Sequence, residues 1–154
     1  MTREVECKEF MKVVETIQAQ FPSLCIELAT EHPHVEALLE IPVQQGLAFP
    51  VSINLQNCDE LHLNVGSFWC EWFPCREREV SDRFVEAVCG LLSGAYRVVE
   101  YWRGGVALKA DLQRQVGGGW QCVASWSRLH IPVSWGMTIK TIHNVPCATV
   151  RCSA

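Results

Sequence analysis

Between residues 96 and 127 the chain alternates at every second position, and glycines cut the run into three. Tyr96, Val98, Glu100 and Trp102 share one parity, with Arg97, Val99, Tyr101 and Arg103 on the other. Gly104-Gly105 follows, and Val106, Leu108, Ala110 and Leu112 then line one face of a second segment. Gly117-Gly118-Gly119 precedes a third, Trp120 to Ser127. A period of two marks half-buried strands. Paired glycines supply the positive φ values of a tight hairpin turn. Strands joined this closely pair antiparallel, so this half of the chain predicts a meander.

The first half reads differently. Phe10, Val14, Ile17 and Phe21 recur at steps of four, three and four, the spacing of one helical face, and predict a helix over 4–20. Pro22 ends it, because its ring and missing N–H cannot continue the ladder. Strands are expected at 24–29, at 35–41, from Phe49 to Gln56 and from Leu61 to Val65. The aromatic run Phe68–Phe73 closes at Pro74. A second helix is expected over 79–93, carrying Phe84, Val88 and Leu91 on one stripe, with Gly94 as its left-handed cap.

The expected architecture is therefore α+β with a mostly antiparallel sheet. Its order is α-β-β-β-β-α-β-β-β, with a further edge strand over Met137 to Ile142. The two helices are expected on one face of the sheet. A chain of 154 residues, 49% apolar and 19% charged, suits a single domain spanning 1–154 with a sizeable core. Residues 129–154 are the least legible part, and a loosely held C-terminus is expected there.

The formal net charge is −4, from 13 Lys and Arg against 17 Asp and Glu, and no basic stripe of the kind that neutralises phosphates is evident. Nucleic acid is therefore not an expected partner. No run of about 20 apolar residues exists to span a bilayer as a helix, so no membrane role is expected. Nine cysteines, behind an N-terminal Met1 to Glu6 stretch without apolar character, suggest a reducing, cytoplasmic setting. Most of the thiols are expected to act as small buried hydrophobes, Cys25, Cys89 and Cys122 among them.

Several constellations touch on chemistry. His34-Val35-Glu36 and Pro74-Cys75 resemble part of the zinc-deaminase pattern, but Arg78 stands where its second cysteine belongs. A guanidinium cannot replace a thiolate as a zinc ligand. Cys70 and Cys75 share a spacing with Cys147 and Cys152, which makes these four the candidate metal ligands. Knuckles usually place two residues between ligands, with a glycine near the turn, a form neither pair has, and no resident cofactor is expected. Cys75 is the candidate nucleophile, since a position just before a helix, beside Arg76 and Arg78, can lower a thiol pKa. Exposed aromatics on a sheet make the candidate binding surface: Phe68, Trp69, Trp72, Phe73, Tyr96 and Trp102.

No motif specifies a reaction. The expected function is a small non-enzymatic protein-interaction module, chaperone-like or immunity-like by analogy of size, charge and fold class alone. Its partner would be a protein, with a homodimer among the possibilities. The rival is a small zinc- or thiol-dependent enzyme centred on Cys75.

Overall fold

The computed structural model describes residues 3–128 and 136–145, with side chains in the first helix from Lys8 onward. Helix α1 (Arg3–Gln20) leads into five strands: β1 (Glu27–Ala29), β2 (Ala37–Ile41), β3 (Val51–Gln56), β4 (Glu60–Val65) and β5 (Phe68–Trp72). Helix α2 (Arg78–Ser93) follows, and then β6 (Tyr96–Arg103), β7 (Val106–Val116), β8 (Gly119–Ser127) and β9 (Thr138–His143). The order is the expected one, with the aromatic run Phe68–Trp72 forming a strand of its own. The strands make two antiparallel sheets. One has the order β1-β2-β3-β4-β5 and the other β8-β7-β6-β9.

Each element is explained by its pattern. In α1 the residues Phe10, Val13, Val14 and Ile17 are at most 1% exposed, the single stripe that the spacing requires. Gly94 caps α2 at φ 85°, its N–H bonded to the Leu91 carbonyl, where only glycine is unstrained. Gly104 and Gly105 both have positive φ, so the β6–β7 hairpin uses the turn that paired glycines favour.

One continuous core joins both sheets and both helices. The inner face of the five-stranded sheet contributes Leu39, Ile53, Leu55, Leu61, Leu63 and Phe68, all buried. Helix α1 lies over β2 and β3, while α2 lies over β4 and β5 and reaches β6. Beyond β5 the second sheet takes over, with Val98, Ala110 and Leu112 in the same cluster and Ala124, Trp126 and Ile142 packed against it. Each such Leu or Phe contributes about 1.5–3 kcal/mol by leaving water.

Two polar joints fix the sheets to each other. The Glu100 carboxylate of β6, 4% exposed, accepts the Ser67 N–H of the β4–β5 turn at 2.6 Å and the Trp102 Nε1–H at 2.9 Å. Gly66 allows the approach, because a Cβ there would collide with Glu100 and Ile142. The Asn144 amide donates to the Gly46 carbonyl at 2.8 Å and to the Leu92 carbonyl at 2.6 Å. It thereby ties the segment after β9 to the β2–β3 loop and to the end of α2. Among the described residues no helix is long and apolar enough to cross a membrane.

Gly90 of α2 faces the Tyr96 ring, and a Cβ would overlap it. Gly90→Ala is therefore expected to lower stability by about 1–3 kcal/mol through overpacking. This outweighs the gain of about 1 kcal/mol that alanine brings to a helix. Urea unfolding of the two proteins reads the difference; an unchanged or raised midpoint would show that the ring gives way freely.

Candidate functional site

The outer face of the five-stranded sheet carries the most concentrated polar chemistry in the chain. Period-two alternation turns Leu39, Ile53 and Leu63 inward, so their neighbours must point out. Register brings Leu38, Asn54, His62 and Glu71 into one row, and Glu27, Glu40, Ser52, Asn64 and Trp69 into the next. Gln56 and Glu60 are paired at the end of the hairpin, and Glu36 stands at the entrance to β2. The face therefore holds Glu27, Glu36, Glu40, Glu60 and Glu71, while β1 to β5 contain no Lys or Arg.

At its centre sits His62, only 3% exposed although it faces outward. The Trp69 ring packs edge-on against it, with centroids 5.3 Å apart, and shields it from water. The Nε2–H of His62 donates to Glu60 Oε2 at 3.1 Å, and Glu71 Oε2 lies 3.9 Å from the same nitrogen. The other ring nitrogen, Nδ1, is buried without a hydrogen-bond partner. The Asn57 amide also donates to Glu60 Oε2, at 2.9 Å. These two hydrogen bonds, the one from Asn57 first, hold the Glu60 carboxyl below its ordinary range. Ser52 donates to Glu40 at 2.7 Å, and Gln56 donates to Asn54 at 2.8 Å. Among the described residues, Glu60, His62 and Glu71 form the one group of three His, Cys, Asp or Glu side chains close enough to share a metal ion.

The residues singled out from sequence fall elsewhere. Cys75 is 1% exposed and part of the core, and its N–H bonds to the Asp59 carbonyl at 2.9 Å. Burial, and then the Asp59 carboxylate, push its thiol up to about 12, more than offsetting Arg76. A lowered pKa and an accessible sulfur, the two properties expected of a nucleophile there, are both missing. Cys70 points inward and burial raises its thiol too, and among the described residues neither Cys70 nor Cys75 joins a metal-ligating group. Cys147 and Cys152 lie outside the described residues. His34 is in an exposed turn beside His32, and Glu36 faces Cys58 instead of a zinc-ligating partner.

The six aromatic candidates do not form one surface. Phe68 and Tyr96 are buried, and Trp72 packs edge-on against Phe84 with centroids 5.4 Å apart. Tyr96 donates to Glu86 at 2.9 Å. Trp102 is tied to Glu100 and lies under Lys140, 4.1 Å from the ring centre. Only Trp69 at 40% and Phe73 at 61% are open to solvent, both at the β5 edge of the acidic face. Cys25 and Cys122, expected inside, are exposed. Cys25 precedes β1, and Cys122 points out from β8 toward Ser125.

The acidic face has a signal in the chain that net charge conceals. Residues 13–75 contain eight Asp or Glu and no Lys or Arg, whereas residues 96–154 contain seven Lys or Arg against two acids. Comparison with protein-family models, with curated proteins and with solved structures found no match.

The thiols provide two checks. Alkylation near pH 8 is expected to modify Cys25 and Cys122 first and Cys75 only on unfolding, as peptide mapping would show. Early labelling of Cys75 would contradict its burial. Cys75, Cys89 and Tyr96 are pushed up to about 12, about 11 and about 12, in each case first by burial. Their unfolded forms ionise near 9.0 and 10.0, so their contribution is complete below about pH 9 and is lost as pH rises toward the folded values. The urea midpoint should therefore fall between about pH 8 and about pH 10.5; a flat profile would contradict the burial of these groups.

Proposed function

We propose that this chain is a protein-interaction module whose acidic sheet face holds a Lys- and Arg-rich segment of another protein. The observation that carries the reading is five glutamates on one face of a sheet whose strands contain no Lys or Arg. A face of one sign raises the local concentration of an opposite-sign partner and speeds its encounter. Trp69 and Phe73, 40% and 61% open at the rim, supply the aromatic anchors around which interfaces concentrate their energy. Chaperone-like holding and immunity-like neutralisation would both use such a face, and size, charge and fold class are the only analogy behind either role.

Charge also bears on the kind of partner. A two-fold dimer through this face would set like carboxylates against each other, which makes a basic hetero-partner the better occupant. The enzyme reading centred on Cys75 receives less support, since that thiol is buried and held neutral. The exposed thiols of Cys25 and Cys122 fit a reducing, cytoplasmic compartment.

The test is fluorescence anisotropy with a labelled Lys/Arg-rich peptide containing aromatic residues, run in EDTA beside an acidic control. Binding should weaken as salt rises. In the triple variant Glu27→Gln, Glu40→Gln, Glu71→Gln it should fall by about threefold to a hundredfold, since each rim charge is worth about 0.2–1 kcal/mol. Equal binding of both peptides, or an unaffected variant, would remove the proposal.

A further inference from the structure

We infer that Glu60, His62 and Glu71 form a binding site for a single first-row divalent metal ion. The site is local and independent of the basic partner. Glu60 and His62 are two apart on β4, so they share a face, and Glu71 is the direct cross-strand partner of His62. Two rigid neighbouring strands thus hold one imidazole nitrogen and two carboxylates together. His62 Nε2 lies 3.1 Å from Glu60 Oε2 and 3.9 Å from Glu71 Oε2, and all three donor atoms fall within 4.8 Å of one another. Metal–ligand bonds to nitrogen and oxygen are about 2.0–2.2 Å, so neighbouring ligand atoms around one ion stand about 3–3.5 Å apart. Small side-chain rotations close the difference, and the half-exposed Glu71 is free to make them.

The burial of the ring is a second observation: His62 is 3% exposed, and with Nδ1 unpartnered its Nε2 is the one ring nitrogen that faces polar groups. A single hydrogen bond to Glu60 is therefore the whole polar compensation for a buried imidazole, which otherwise costs free energy. Its Nε2 is aimed between two carboxylates, and Trp69 packs against the ring and restrains its orientation. Among the described residues, neither Glu60 nor Glu71 pairs with a Lys or Arg. A divalent cation at Nε2 balances both carboxylates; the ring gives up the Nε2 proton that donates to Glu60 and carries its proton on Nδ1 instead. Imidazole with two carboxylates suits zinc, manganese or cobalt, and it offers nothing to the soft ions that thiolates select. Three protein donors leave at least one coordination position for water or for an acidic group of a ligand.

The experiment is titration of the purified chain with Co²⁺, by calorimetry and visible absorption, in the absence of peptide. The expected result is saturation near one ion per chain, with ligand-field bands but no thiolate-to-cobalt charge-transfer band. His62→Ala and Glu71→Gln should each weaken binding about tenfold or more, at least the loss seen on removing outer-shell partners. Circular dichroism confirms that the variants fold. Should His62→Ala fail to fold, Glu71→Gln alone decides, because its position on the outer face leaves the core intact. Absent stoichiometric binding, affinity unchanged in Glu71→Gln, or a thiolate band would each overturn the site. None of these results bears on the peptide assay, which is run in EDTA.

Discussion

The five-stranded sheet has one apolar face, and burying it requires more cover than two helices provide. Helices α1 and α2 cover β2 to β4 and part of β5, and the second sheet closes the rest of β5 through β7 and β8. Phe68, Cys70 and Trp72 point to that side because they pair with Val65, Leu63 and Leu61. The two sheets are therefore not separate units: each supplies part of the wall the other needs. Glu100 and Asn144 hold this arrangement by satisfying backbone groups on the opposite element. A buried carboxylate in that position is tolerable because it accepts two hydrogen bonds at once.

The same constraint explains why polar chemistry collects on the outside of the first sheet. With the inward positions committed to apolar side chains and Cys70, the alternate positions are free to carry Glu, Asn, Gln and His. Strand pairing then aligns them into rows. His62 occupies the middle of such a row and is buried by Trp69 rather than by the core. A nearly inaccessible imidazole can thus exist on a face otherwise open to water. Five of the thirteen basic residues lie in the second sheet and none in the first; there Arg97 stacks on Trp120 and Lys140 on Trp102.

Much of this was legible in the residues. Alternation and glycine turns located β6, β7 and β8, the four-three-four spacing located α1, and parity placed His62 on the outer side of β4. The division into two sheets was not legible, because periodicity specifies faces but not which strands become edges. Neighbouring aromatics misled for a related reason: Phe68 and Trp69 are adjacent in the chain, yet a strand sends them to opposite faces. Cys75 looked activated from its basic neighbours, but desolvation in the core dominates their charges. The acidic face was readable in principle from the long stretch without Lys or Arg. The net charge of −4 hid it by averaging two opposite halves.

Strand β9 occupies the edge beside β6, and this has a bearing on synthesis. β6 emerges from the ribosome before residues 138–143, so until β9 follows, the free side of β6 is an unprotected template for another chain. The Glu100 and Asn144 joints mature at different moments. The first can form as soon as β6 meets the β4–β5 turn, whereas the second waits for the end of the meander. Nascent chains are thus most exposed to mispairing just before β9 emerges, when much of the apolar core is already available and one backbone edge is not yet covered.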